Sequence, residues 1–379
     1  MHTKAKLKVV TVVGTRPEII RLSRVMSLLD EHLQHVIVHT GQNYDYELNQ
    51  VFFDELEIRK PDYFMNVDVS SLGSSVGDIM KKTEEILKIE KPDAFLVLGD
   101  TNSCLASYIA KRLHIPIFHM EAGNRCFDFN VPEETNRRVV DHISDFNLVY
   151  TEHARRHLLA EGLPHRRIYL TGSPMKEVLE YYMPKIKKSN ALDSLNLDAK
   201  KYFVISTHRE ENVDNPENLK KIISLLNALA ERYSLPIIVS THPRTKKRLE
   251  EIQDIGRNNL IHFMKPFGFL DYVNLQMNAT CTISDSGTIS EESSILNFPA
   301  ISLRQSMERP EAQDVGSIIL TGFDPQVVAD SIELVINEFE KNKGYKTIAE
   351  DYTISNTSWR VLKLIMGNAK LSNLWNGIK

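Results

Sequence analysis

Apolar runs of strand length alternate with stretches of helical spacing along most of the chain. The first run, LKVVTVVG (residues 7–14), is almost unbroken. RPEIIRLSRVMSLLDE follows, with Ile19, Ile20, Val25, Leu28 and Leu29 at helical spacing. An unbroken apolar run predicts a strand covered on both faces, and the 3.6-residue spacing predicts a helix that covers one of them. The signals recur: HVIVHTG reads as strand, YELNQVFFDEL and SVGDIMKKTEEILKIE as helices, DAFLVLGD as strand, SCLASYIAKRL as helix and PIFHMEAG as strand. DFNLVYTEHARRHLLAEG and RIYLTGSP continue the alternation. This order predicts a doubly wound parallel sheet.

The polar stretch YYMPKIKKSNALDSLNLDAK then interrupts the pattern and reads as a linker, in which ALDSLNLD can form a short helix. Alternation restarts at KYFVISTHREEN and runs through NPENLKKIISLLNALAERY, PIIVSTHPR, LIHFMKPF, GFLDYVNLQMN, ATCTISD and AISLR to PQVVADSIELVINEFEKN. The tail SNTSWRVLKLIMGN has the pattern of an amphipathic helix that could brace the first half. The expected organisation is one α/β domain over 1–175, a linker over 176–200, a second α/β domain over 201–355, and a terminal helix over 356–379. A chain of 379 residues favours two cores over one.

Composition narrows the function. A formal charge of −4 supplies no basic field, which argues against nucleic acid as the main partner. Cys104, Cys126 and Cys281 have no close spacing, and neither a signal peptide nor an 18-residue apolar span is visible. These features lead to the expectation of a reduced, cytoplasmic protein with no membrane insertion.

Open α/β sheets bind ligands beyond the carboxyl ends of their strands, and the chemistry-bearing residues fall there. GTRPE sets Arg16 at a helix start, where free amides and the helix dipole suit an anion. A capped helix with a surface arginine would look the same. SDSGTISEE offers Ser286, Gly287 and Thr288 as a phosphate cradle and Glu292 as an acceptor for ribose hydroxyls. A serine cap with solvent-facing glutamates is its plain counterpart. Asp100 in GDT, Glu121 in EAG and Glu133 in PEE follow or adjoin strand ends, and Glu134 stands beside Glu133. Carboxylates converging there would raise at least one pKa into the range of acid–base work. Arg125, Arg137 and Arg138 could instead tie them up. His208 and His242, each beside an arginine, suit a negative ligand, whereas His39, His119 and His142 lack a metal-ligand spacing. No metal site is expected.

Taken in order, GTRPE, HTGQ, GDT, EAG, PEE.NR, GSP, THRE.N, DSG...EE and ERPEA resemble the non-hydrolysing UDP-N-acetylglucosamine 2-epimerase family over most of the chain. The resemblance implies two Rossmann-like domains facing across a cleft, a GT-B-like architecture, and a homodimer. It also implies inversion at C2 of a UDP-linked N-acetylamino sugar by UDP elimination and re-addition through a glycal, without an added cofactor. Asp100, Glu121, Glu133 and His208 then become the catalytic candidates. Arg16, Arg21, His242, Arg244, Ser286, Gly287, Thr288, Glu292, Arg304 and Arg309 become candidates for binding UDP or sugar. Where the usual glucosamine enzyme has a lysine, this chain has Arg21, and it reads EAGNRCFD rather than EAGLRTGD. TRPEIIRLS, HTGQNYDYELNQ and EAGNRCFDFNVPEE look most like the branch making UDP-N-acetyl-L-fucosamine from UDP-2-acetamido-2,6-dideoxy-L-talose, a step of capsule or O-antigen polysaccharide synthesis. The alternatives are a UDP-N-acetylglucosamine 2-epimerase giving UDP-N-acetylmannosamine, a GT-B glycosyltransferase, and a non-catalytic sugar-nucleotide sensor.

Overall fold

The computed structural model describes residues 6–41, 53–207, 216–241, 258–345 and 347–378. Two units separate: the described residues of Met1–Tyr181 with those of Thr353–Lys379, and Tyr182–Tyr352. Each is a doubly wound, Rossmann-like α/β sheet.

In the first unit the strands are β1 (Lys8–Val13), β2 (Gln34–His39), β3 (Tyr63–Phe64), β4 (Ala94–Leu98), β5 (Ile117–Ala122), β6 (Phe146–Val149) and β7 (Ile168–Leu170). They lie in the order β3-β2-β1-β4-β5-β6-β7, all parallel. The apolar runs become strands because helices cover both faces: Val9, Val10, Val12 and Val13 are all buried, as is every residue of β4 and β5. Each such valine or isoleucine contributes about 1.5–3 kcal/mol on burial. Strand order reverses at β1 and β4, so the crevice that a doubly wound sheet offers to ligands opens beside GTRPE and GDT.

The second unit repeats the plan with β8 (Phe203–Ser206), β9 (Ile237–Ser240), β10 (Ile261–Met264), β11 (Cys281–Ser284) and β12 (Ala300–Ser302). Their order is β10-β9-β8-β11-β12, again parallel, and the reversal falls at β8 and β11. SDSG emerges at that point. The three cysteines are buried and unbridged, and burial pushes the Cys281 thiol up to about 12.

The stretch expected to link the two domains opens with a helix, Met175–Ile186, whose Val178, Leu179, Tyr182 and Ile186 are fully buried. Those positions repeat at helical spacing, and Pro184 is accommodated in the last turn. Ala191–Ser194 forms the short helix expected from ALDSLNLD. Among the described residues, no helix is long and apolar enough to cross a membrane.

The terminal helix, Thr357–Trp375, packs on the Arg16–His32 helix, and Trp359 meets His32 at 5.4 Å between ring centroids. Its first turn is sewn to the chain after β7: the Thr357 hydroxyl donates to the carbonyls of Thr171 (3.1 Å) and Ser173 (3.2 Å), and Arg360 donates to that of Leu170 (3.1 Å). Gly172 makes this approach feasible. It adopts φ +81°, and a Cβ there would stand 2.6–2.8 Å from three carbons of Ile354. Gly162 also has a positive φ, +84°, yet a Cβ there would meet nothing within 4 Å. Gly162→Ala is therefore expected to cost about 1 kcal/mol of backbone strain. Gly172→Ala adds overpacking, for a total of about 2–4 kcal/mol. Urea denaturation of both variants checks the ranking, and equal costs would show that Ile354 yields freely.

Candidate active site

The turn after β1 is built around a carboxylate. Glu18, in the first turn of the Arg16–His32 helix, accepts the amides of Gly14 (2.5 Å) and Thr15 (3.3 Å). It also accepts the Thr101 hydroxyl and the Ser103 hydroxyl (2.9 Å), both from the turn after β4. Burial raises its pKa above the ordinary value of 4.5, against the opposing pull of the Thr101, Gly14, Ser103 and Thr15 hydrogen bonds. Glu18 thus fastens GTRPE to GDT. It was passed over in the sequence because it reads as an ordinary helix-cap acid. Arg16 opens the same helix and is half-buried.

Glu121 closes β5 in an unusual conformation. Its φ is +65°, and the register with β6 slips between Met120 and Ala122. A bulge of this kind re-aims a side chain, and a left-handed non-glycine residue carries strain that clusters at functional sites. The Glu121 carboxylate pairs with Arg21 and accepts the Asn124 side-chain amide at 3.2 Å. A Cβ on Gly99 would lie 3.5 Å from Glu121 Oε2, which places this carboxylate beside the residue preceding Asp100. Two residues on, Gly123 has φ +80° and no room for a Cβ, which would run into the Ala154 carbonyl.

Asp100 is held from the Pro132–Ile143 helix. Arg137 donates to its Oδ2 through Nε (3.0 Å) and Nη2 (2.5 Å), and Asn136 donates to its backbone carbonyl (2.9 Å). Glu133, half-buried, stands one turn earlier on the same helix. Its neighbour Glu134 is fully buried and committed to structure: it accepts the Cys126 amide (3.1 Å), Arg137 (3.3 Å) and Arg138 (2.9 Å). Cations therefore interleave the carboxylates of this unit and oppose their mutual repulsion.

Behind the strand ends, buried His119 has Nδ1 2.9 Å from Asp141 and Nε2 2.8 Å from the Gly99 carbonyl. Asp141 also accepts the Gly123 amide (3.1 Å) and Arg125 (2.8 Å). Burial would raise its pKa, but the hydrogen bonds and charges of His119 and Arg125 hold it below 3.8. His39 is different. Burial depresses it to about 4, it accepts the Gly41 amide at Nδ1 (2.9 Å), and it stacks on Phe64 at 4.8 Å. Among the described residues, no group of three or more histidine, cysteine or acidic side chains is placed to hold a metal ion.

In the second unit, Ser286 and Thr288 share a hydroxyl hydrogen bond of 2.9 Å ahead of the Ile289–Leu296 helix. Gly287 lies in the turn between them. Glu292, nearly buried, accepts buried Gln276 at 2.9 Å. The adjacent Glu291 is fully buried and pairs with Arg309 (2.9 Å), while Arg304 pairs with Glu308 (3.0 Å). Tyr272, one turn before Gln276, is hydrogen-bonded to Ser206 and Ser284, and burial raises its pKa far above the usual phenol range. Tyr272 and Gln276 stand at i, i+4 spacing on GFLDYVNLQMN. His208, His242 and Arg244 lie outside the described residues.

Asp141→Asn removes a buried charge that pairs with Arg125 and is hydrogen-bonded to His119, and is expected to cost about 3–5 kcal/mol at pH 7. The folded-state pKa of Asp141 lies below 3.8, so this stabilisation is complete above 3.8 and fades as the pH falls through the lower value. Urea denaturation of both proteins from pH 7 to pH 3 checks this. A gap that widens on acidification would overturn the assignment.

The profile of UDP-N-acetylglucosamine 2-epimerase matches residues 28–366. A UDP-N-acetylglucosamine 2-epimerase of Methanococcus maripaludis is 39% identical over 336 residues, covering 87% of this chain and 92% of that protein. The structure of UDP-N-acetylglucosamine 2-epimerase from Rickettsia bellii is 50% identical with a TM-score of 0.91, covering 97% of this chain and 98% of that one. The Methanocaldococcus jannaschii UDP-GlcNAc 2-epimerase, crystallised with UDP-GlcNAc and UDP, is 34% identical with a TM-score of 0.87, covering 95% and 99%. Similarity of this extent, spanning both units, makes the chain a member of the UDP-N-acetylglucosamine 2-epimerase family.

Proposed function

We propose that the protein inverts C2 of a UDP-linked 2-acetamido sugar, with UDP-N-acetylglucosamine as the reference substrate and UDP-N-acetylmannosamine as product. The observation that carries this reading is the carboxylate pair Asp100 and Glu121 beside one strand-order reversal, with Glu121 held in a strained bulge. A carboxylate takes the C2 proton, the C1–oxygen bond breaks, and UDP leaves a C1–C2 double bond. Re-addition of the UDP oxygen to C1 and delivery of a proton to the opposite face of C2 restore the substrate class in inverted form. Asp100, Glu121 and Glu133 are assigned to the proton transfers, with His208 assisting departure of UDP. Arg16, His242, Arg244, Ser286, Gly287, Thr288, Arg304 and Arg309 are assigned to the diphosphate and sugar, and Glu292 to the ribose. Arg21, paired with Glu121, is assigned to the sugar side. The same reading makes the protein a cytoplasmic homodimer working without a redox cofactor.

A second substrate, UDP-2-acetamido-2,6-dideoxy-L-talose, is favoured by one local feature. Phe127 and Phe129 are 65% and 72% exposed in the segment after Glu121, and Phe127 keeps a left-handed φ of +56°. Aromatic faces suit a sugar carrying a methyl in place of a hydroxymethyl group, although one such group discriminates modestly. The product, UDP-N-acetyl-L-fucosamine, would serve capsule or O-antigen synthesis.

Proton NMR in deuterated water with each substrate tests both readings. The expected result is the C2 epimer with deuterium at C2. Turnover of UDP-N-acetylglucosamine alone excludes the 6-deoxy sugar, and turnover of the talose compound alone establishes it. Failure of both overturns both substrate readings. Asp100→Asn, Glu121→Gln and Glu133→Gln should each lower kcat by about 10²–10⁴-fold in folded protein, and near-normal rates in all three would remove the acid–base assignment.

A further inference from the structure

The ion pairs of the first unit, followed from one to the next, close on themselves. The Gly99 carbonyl accepts His119; His119 pairs with Asp141, Asp141 with Arg125, and Arg125 with Glu161 (2.6 Å). Glu161 pairs with Arg138 (3.0 Å), Arg138 with Glu134, Glu134 with Arg137, and Arg137 with Asp100, the residue next to the starting point. Charge alternates from Asp141 round to Asp100. His119 joins that run to the Gly99 carbonyl through its two ring nitrogens.

The circuit also grips the segment leaving Glu121. Asp141 holds the Gly123 amide, Glu134 holds the Cys126 amide, and Arg125 donates to the Asn124 carbonyl at 2.7 Å. Asn124 in turn donates to Glu121 itself. The β4 end carrying Asp100 and the β5 end carrying Glu121 are thus fastened to one frame. That frame is drawn from β5, the Pro132–Ile143 helix and Glu161, which caps the Glu152–Ala160 helix.

We infer that this closed circuit of ion pairs is a positioning device for the two reacting carboxylates, and that Glu161, which pairs with Arg125 and Arg138, sets the rate of C2 proton transfer through it. The inference rests on the proposed epimerisation. It assigns function to side chains that the reaction scheme leaves unused: His119, Arg125, Glu134, Arg138, Asp141 and Glu161. Proton transfer is steeply sensitive to placement, and an error of about 1 Å can cost on the order of 10²-fold. A ring of mutually held charges limits such errors.

Glu161→Gln opens the circuit where Glu161 keeps some solvent access (19% of its side chain), leaving Arg125 on Asp141 and Arg138 on Glu134. The expected result is a kcat about tenfold lower, with KM for the UDP-sugar and Kd for UDP within about twofold of wild type. Glu161→Asp, which restores the charge, should recover most of the loss. In ligand-free protein, amide exchange at Gly123 and Cys126 should accelerate in Glu161→Gln. If Glu161→Gln does not fold, Arg138→Gln opens the circuit at a more exposed side chain and must give the same split between kcat and KM. A raised KM at unchanged kcat, or unchanged kcat despite faster exchange, overturns the proposal. So does a Glu161→Asp variant no better than Glu161→Gln. A wild-type protein that turns over no UDP-sugar refutes the epimerase reading separately; exchange at Gly123 and Cys126 then still decides the circuit, which unchanged protection overturns.

Discussion

An ionised carboxylate at the end of a buried parallel strand must be met by cations or amides, because leaving it unpaired away from water costs several kcal/mol. The first unit meets this constraint for Asp100 with Arg137 and for Glu121 with Arg21. Each cation then needs a counter-charge or a fixed seat of its own, and the demand spreads outward through Glu134, Arg138, Glu161, Arg125, Asp141 and His119. The extent of the buried polar network follows from the requirement to keep two acids at adjacent strand ends. Ion pairing of this kind adds little net stability over apolar packing. Its contribution is to geometry.

The anion site proposed for the second unit draws on different groups. Anion binding at a helix start uses backbone amides and small hydroxyls, which carry no net charge and need no counter-ion. Ser286 and Thr288 accordingly satisfy each other locally. The charged side chains of this unit sit further in, as Glu291 on Arg309 and Glu292 on Gln276. The two adjacent glutamates face different partners, so one buries a full ion pair and the other keeps a neutral donor.

Much of this arrangement is legible from the chain. Strand–helix alternation is a local periodicity, and the residues after strands are easily listed once the strands are known, so Asp100, Glu121 and the SDSG turn could all be picked out. The Met175–Ile186 helix gives a weak signal because tyrosines, lysines and a proline mask its buried positions at 178, 179, 182 and 186. Glu18 was missed for another reason: its partners Thr101 and Ser103 lie more than eighty residues away, and only the sheet order brings them together. The left-handed backbone of Glu121 also had no signal, since glutamate is not a residue that announces a positive φ. Pairings across elements depend on tertiary placement, and no spacing along the chain encodes them.

Arg21 shows how one substitution within the family pattern acquires meaning from the fold. A lysine at this position would offer Glu121 a compact point charge on a flexible stem, free to rotate its donors. The guanidinium is planar, and its fork constrains the orientation of the carboxylate it meets as well as its charge. Glu121 is already fixed on its backbone side by the bulge and by Asn124. On its other flank the Glu121 Oε2 meets Arg21 Nη1. For the role proposed for Glu121, this contact adds to the orientation set by the bulge and by Asn124. The bulge, Asn124 and Arg21 thus hold Glu121 from three directions.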